Sequence, residues 1–291
     1  MTAGSALGST FSLARFDVHR VGFGAMQLPG RGVMGPPKDR DEALAVLRRA
    51  VEAGVNHIDT AQFYGPDVSN ELIREALHPY PDDLALVSKV GSVRDAKGAW
   101  LPAQTPAELR AGVEDNLRSL GVEQLAVVNL RLLEPGHGTP PPLQDQLAEM
   151  VRLRDEGKIA GIGISAATLE QVETAIELAG IVCVQNAFSL VDRSEDAVLQ
   201  RSVREGIAYV PYFPLGSAFP GTRKVVEQQQ VRQISDRLGI TPAQVGLAWL
   251  LAYADNVLLI PGTSSLAHLE ENLAVGDVEL SEDDLLILEQ I

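Results

Sequence analysis

The sequence holds one cysteine, Cys183, so no disulfide can form within the chain. Its setting, the apolar run Ile181-Val182-Cys183-Val184, marks it as a packing residue rather than a reactive one. A chain without disulfides suits a reducing compartment, and a cytoplasmic location is expected. Basic residues are also scarce. There are 24 Lys and Arg against 39 Asp and Glu, a formal net charge of −15. That balance argues against nucleic acid and anionic membrane surfaces as partners. No apolar run approaches membrane-spanning length. Residues 1–10 lack the basic-then-apolar order of a secretory signal. A linker is missing too, since the Pro/Gly clusters at 29–37, 135–142 and 211–221 are short and sit between periodic segments. The 291 residues are therefore read as one domain, 1–291.

What the chain does contain is an alternation of element types. Residues 11–18 read as a hairpin. Short Val- and Ile-rich runs follow at 20–25, 55–58, 84–89, 125–130, 159–164, 181–184, 207–211 and 257–260. Segments of helical period separate them, several opened by Thr-Pro and several stopped by Gly. Strands alternating with helices imply parallel pairing and right-handed crossovers. Eight such units predict an α/β fold, a (β/α)₈ TIM barrel with an N-terminal β-hairpin and extra C-terminal helices. The competing doubly wound sheet lacks its glycine fingerprint, because Gln27 stands where Gly22-Phe23-Gly24 would need a third glycine.

Barrel chemistry gathers at the C-terminal strand ends. In this sequence those ends carry Asp59, Lys89, Arg131, Ser165, Gln185-Asn186, Tyr212 and the segment Pro261-Gly262-Thr263-Ser264-Ser265. Any one of them alone is ordinarily a solvated end, a turn or a helix cap. So many polar groups at successive ends make sense as one shared site, because buried singly they would be costly. Tyr64 follows Asp59 by five residues. Strand alternation puts His57 and Asn129 on the same inward face as Asp59 and Arg131, where they could form a supporting polar layer. A core histidine with its hydrogen bonds satisfied is an equal reading for His57. No metal ligands stand at useful spacing, and no metal is expected.

The segment Gly54-Val55-Asn56-His57-Ile58-Asp59-Thr60-Ala61-Gln62-Phe63-Tyr64-Gly65 resembles the signature of the aldo-keto reductases. Val87-Ser88-Lys89-Val90 is similar to the family's lysine strand, and 260–272 to its cofactor-phosphate segment. Within the family, 22–28, Gly35-Pro36-Pro37, Val127-Val128-Asn129-Leu130-Arg131 and 209–216 resemble bacterial pyridoxal reductases. The resemblance implies NADPH-dependent reduction of a small-molecule carbonyl, pyridoxal foremost, with a broader aldehyde and ketone range as the alternative.

It also implies roles for individual residues. Tyr64 is the proton donor. A free tyrosine titrates near ~10, and an adjacent Lys89 ammonium, kept charged by Asp59, favours the phenolate. Most relatives end the fourth strand in histidine. Arg131 stands there in this chain, always charged and unsuited to relaying protons, but able to polarise a carbonyl or hold a substrate anion. The implied cofactor set is Gly24, Ala25, Met26, Asp59, Ser165, Gln185, Tyr212, Phe213, Leu215, Gly216, Ser217, Gly262, Thr263, Ser264, Ser265, His268, Glu271 and Asn272. Relatives usually carry Asn where Ala166 stands and a basic residue where His268 stands, which weakens one amide contact and strict NADPH preference. Met26, Trp100, placed in a long loop, and Phe219 are the substrate candidates. The short C-terminus implies an open site, and a monomer or weak oligomer is expected. Two rivals remain. One is a Schiff-base aldolase using Lys89, which Asp59 would oppose. The other is a non-catalytic NADP-binding regulatory subunit.

Overall fold

A computed structural model describes residues 7–132, 139–216 and 221–291. Strands β1 (Thr10–Leu13) and β2 (Phe16–His19) pair antiparallel as the expected hairpin. Then come β3 (Phe23–Gly24), β4 (His57–Asp59), β5 (Ala85–Arg94), β6 (Trp100–Ala103), β7 (Leu125–Arg131), β8 (Ile159–Ser165), β9 (Cys183–Gln185) and β10 (Ala208–Tyr209). Seven of these run parallel in the order β3-β4-β5-β7-β8-β9-β10.

The eighth expected strand, 257–260, makes single bridges rather than a ladder, yet it occupies the closing position. It bridges Tyr209 through Val257 and Val21 through Leu259, both parallel. Its backbone bonds alternate between the two neighbours: Leu258 N donates to Tyr209 O at 2.9 Å and Leu259 N to Arg20 O at 2.8 Å. Arg20 fastens this seam from below. Its Nε donates to Val257 O at 3.0 Å, and its Nη2 donates to Leu251 O at 2.8 Å and Ala254 O at 2.6 Å.

Helices cover the outside: α1 (Arg40–Glu52), α2 (Val68–Leu77), α3 (Pro106–Leu120), α4 (Leu143–Asp155), α5 (Leu169–Ala179), α6 (Asp196–Glu205), α7 (Gln229–Leu238), α8 (Pro242–Tyr253), α9 (Leu266–Leu273) and α10 (Glu282–Leu288). Thr105, Thr168, Thr241 and Ser281 form capping boxes at the starts of α3, α5, α8 and α10. No described helix is long and apolar enough to cross a membrane. Two elements escaped the sequence reading. Helix α7 keeps a narrow apolar stripe, Val231, Ile234 and Leu238, within a run of polar and charged residues. Strand β6 returns antiparallel on β5, which places Trp100 in a hairpin opposite Arg94 rather than in a loop.

Strand alternation divides the interior into two cores. Outward residues such as Ile58, Leu86, Val128, Ile162 and Val184 pack under the helices. Inward residues Ala85, Val87, Val127, Cys183, Ala208, Val210 and Leu258 fill the lower barrel, which Leu13 and Val18 of the hairpin plug. Polar side chains interrupt this inward face at His57 and Asn129, and Asp59 and Lys89 stand towards its upper end.

Arg20→Met should loosen barrel closure, because it strips three carbonyls of a buried donor. A loss of about 3 kcal/mol or more is expected, read as a lowered denaturation midpoint; an unchanged midpoint would remove Arg20 from this role.

Candidate active site

Asp59 ends β4 and Lys89 lies on β5, and both side chains point into the upper barrel. They are 3% and 5% exposed, so the pair is sheltered from solvent. The Lys89 ammonium forms an ion pair with Asp59 Oδ1 and donates to Thr60 O at 3.0 Å. The other Asp59 oxygen accepts from Gln185 Nε2 at 3.0 Å, a bond that crosses the barrel from β9. Tyr64, 4% exposed, comes back over the pair on the loop after β4, with Lys89 Nζ 5.1 Å from its ring centroid. Burial pushes the Lys89 ammonium down, but the Asp59 carboxylate and the Tyr64 phenol outweigh it and hold the group above the ordinary lysine range. Lys89 is therefore a charged, fully engaged ammonium. It is the wrong state for a Schiff-base nucleophile.

A buried polar network that the sequence reading missed fixes the two strand ends. Thr60 Oγ1 donates to Asn70 Oδ1 at 2.8 Å, and Asn70 Nδ2 donates to Asn116 Oδ1 at 3.0 Å. Ser88 Oγ donates to the same Asn116 oxygen at 2.5 Å. Thr60 and Ser88 are the outward neighbours of Asp59 and Lys89, so the network ties both to α2 and α3. The readable signal was polar residues at strand positions that face helices, matched by asparagines on buried helix faces.

One wall of the site is aromatic. Trp100 meets Phe63 edge-on at 5.3 Å, and Phe63 meets Tyr64 edge-on at 5.5 Å. Met26, Val33 and Trp100 pack against Ala61, Phe63 and Tyr64. The guanidiniums of Arg94 and Arg131 lie 4.2 and 5.5 Å from the Trp100 ring centroid. Four of the five non-glycine left-handed residues among those described lie at this end; the fifth, Ala14, turns the β1–β2 hairpin at the base. Val33, Asp67, Ala166 and Phe213 take left-handed φ of 58°, 62°, 57° and 55°, a conformation that is uncommon outside glycine and gathers at functional sites. Ala166 follows Ser165 and Phe213 follows Tyr212.

The Aldo/keto reductase family profile matches residues 20–291. The chain is 48% identical over 285 residues to pyridoxine 4-dehydrogenase of Escherichia coli (strain K12), covering 97% of this chain and 98% of that one. It is 37% identical over 277 residues to an uncharacterized oxidoreductase of Schizosaccharomyces pombe, covering 94% and 87%. Among solved structures, an aldo-keto reductase from Klebsiella pneumoniae in complex with NADPH superposes with a TM-score of 0.81 at 25% identity, covering 97% and 94%. The chain belongs to the aldo/keto reductase family. It is an oxidoreductase.

The remaining residues expected of an aldo-keto reductase site fall as follows. Ser165 and Gln185 end adjacent strands in register, both buried. Gln185 Oε1 is buried without a hydrogen-bond partner among the described residues. Asn186 is committed elsewhere: its Oδ1 accepts from Ala167 N at 3.1 Å and its Nδ2 donates to Ala167 O at 2.7 Å. Gly24 and Gly262 are held glycine by each other's strands, since a Cβ at Gly24 would lie 2.4 Å from Ile260 O and one at Gly262 2.4 Å from Gly24 O. Ala25 is fully buried behind Met26. Tyr212 and Phe213 meet edge-on at 5.2 Å. Phe213 and Gly216 line a cleft of about 230 Å³ with Ser189 and Arg223; Leu215 precedes Gly216 there.

Thr263 Oγ1 accepts from Ser265 N at 3.0 Å, and α9 begins after Ser265 with no side-chain cap and no acid in its first turn. Ser264 and His268 are exposed beside that helix start. Glu271 and Asn272 sit half-buried in its last turn, where Glu271 O accepts from Gln244 Nε2 at 2.9 Å. Ser217 and Phe219 lie outside the described residues.

His57 is fully enclosed, and burial pushes its imidazole down to about 4, with the Asp59 carboxylate opposing and the Lys89 ammonium reinforcing the shift. The folded chain thus keeps His57 neutral where the unfolded chain would protonate it. Stability from this source is whole above about 6.5 and drains away as pH falls toward 4, by about 3 kcal/mol. His57→Phe should flatten denaturation midpoints across that window; an identical acid slope in the variant would contradict the assignment.

Proposed function

We propose that this aldo-keto reductase is NADPH-dependent and reduces pyridoxal to pyridoxine, with Tyr64 as the general acid. The observation that carries the reading is the Lys89 ammonium held between Asp59 and the Tyr64 phenol. The likeness to pyridoxine 4-dehydrogenase supports the substrate.

The residues present suit a dinucleotide. Gln185 Oε1, buried and unpartnered among the described residues, can accept from a nicotinamide carboxamide, with Ser165 beside it. Tyr212 offers a ring for stacking, and Leu215-Gly216 borders a cleft suited to the pyrophosphate. The open start of α9 with Thr263, Ser264 and Ser265 suits the adenosine phosphate. When bound, the reduced nicotinamide supplies hydride to the carbonyl carbon. As the carbonyl electron pair moves onto oxygen, Tyr64 gives that oxygen its proton. Asp59 and the Thr60 carbonyl hold the Lys89 ammonium in place, so the phenolate left on Tyr64 faces a fixed positive charge. Arg131, stacked on Trp100, pairs with the phenolic oxygen beside the pyridoxal aldehyde. A second reading is a broader aldehyde and ketone reductase, favoured by the apolar wall of Met26, Val33 and Trp100, which fits many carbonyl compounds.

Tyr64→Phe should bind NADPH normally and lose about 10²- to 10⁴-fold in kcat with pyridoxal, followed by nicotinamide absorbance. Full turnover by that variant would refute Tyr64 as the acid and leave a non-catalytic role open. Arg131→His should lower pyridoxal turnover more than that of aldehydes lacking the phenolic oxygen. Equal losses would favour the broader reading.

A further inference from the structure

Two inward-facing side chains beside the ion pair have no part in the chemistry above. Asn129 on β7 is 0% exposed, and neither its Nδ2 nor its Oδ1 has a hydrogen-bond partner among the described residues. His57 on β4 is 1% exposed, and its Nδ1 is in the same state. Both belong to the barrel interior. Asn129 is in register with Lys89 on one side and Gly163 on the other. His57 precedes Asp59 by two residues on the same strand and feels the charges of both Asp59 and Lys89.

Glycines make room for these polar groups. A Cβ at Gly163 would come within 2.0 Å of Asn129 Oδ1, and a Cβ at Gly22 within 2.8 Å of His57 Nδ1. An apolar residue at 57 or 129 would fill the space at less cost, because bare buried polar atoms are strongly disfavoured and native folds give them partners.

We propose that Asn129 and His57 bind ordered water inside the barrel against the Asp59–Lys89 pair, and that Asn129 is a positioning residue for that pair. The proposal rests on the reading of Lys89 as the support of Tyr64. Lys89 spends two hydrogens on Asp59 and the Thr60 carbonyl, and its third is the one for Tyr64, whose ring centroid lies 5.1 Å away. Asp59 does have capacity. One oxygen accepts from Lys89 and the other from Gln185, while a carboxylate can accept about four hydrogen bonds. A buried water makes two to four hydrogen bonds. The Asn129 amide supplies a donor and an acceptor, the His57 ring a further partner, and Asp59 an acceptor for the water's own hydrogens. The water then fixes Asp59, and through it Lys89.

A crystal structure of the full chain at high resolution should show ordered water bonded to the Asn129 amide and His57 Nδ1; a dry contact there would overturn the proposal. Asn129→Leu, close to isosteric, should melt at or above the parent temperature. Its kcat should fall about tenfold or more with the KM for NADPH unchanged. Asn129→Thr, which keeps a hydroxyl for the water, should recover part of the loss. Parent kcat in the leucine variant, or no recovery by threonine, would count against positioning. A variant that only melts lower while its folded fraction turns over normally would reveal a purely structural asparagine. Because Tyr64 is intact in these variants, their failure is separable from failure of the Tyr64 assignment.

Discussion

The upper barrel is organised around one buried ion pair, Asp59 with Lys89. A pair taken out of water is a poor source of stability, because desolvation cancels much of the attraction. Its value lies in what it orders. Asp59 is gripped by Gln185 from across the barrel, and the Thr60 carbonyl helps hold Lys89. The strand ends themselves are anchored outward through Asn70 and Asn116 to α2 and α3. Each of these contacts restricts the one ammonium direction left for Tyr64.

The fold provides what such a pair needs. Apolar side chains fill the lower barrel, the hairpin plugs its base, and Arg20 seals the seam that single bridges close. The mouth holds left-handed backbone at Val33, Asp67, Ala166 and Phe213. Cys183, whose thiol burial pushes up, belongs to the packed floor and takes no part in the chemistry.

Much of this was legible in the sequence because strand ends are where the pattern changes sharply. The alternation of Val/Ile runs with capped helices gave the order of elements, and a charged residue ending an apolar run marked Asp59 and Lys89. Other parts were not legible for physical reasons. Helix α7 has only three apolar residues, Val231, Ile234 and Leu238, so its period was readable but stood out little from its polar surroundings. Trp100 joins β6 through pairing with β5, a tertiary contact that a four-residue segment containing Pro102 does not announce. Asn186 is among the polar strand ends that read as one shared site, yet its amide is engaged by the Ala167 backbone. The partners of Thr60 and Ser88 depend on two helices far away in sequence. His57 was open to a reading as a core residue with its bonds satisfied, and only the folded packing exposes its unpartnered Nδ1.

The decisive measurement replaces both partners of the ion pair at once, Asp59→Leu with Lys89→Met, and compares melting temperature with pyridoxal turnover. If the pair exists for chemistry, the double variant should melt close to or above the parent while turnover drops by about two orders of magnitude or more. Turnover within a few-fold of the parent in a folded double variant would contradict the account.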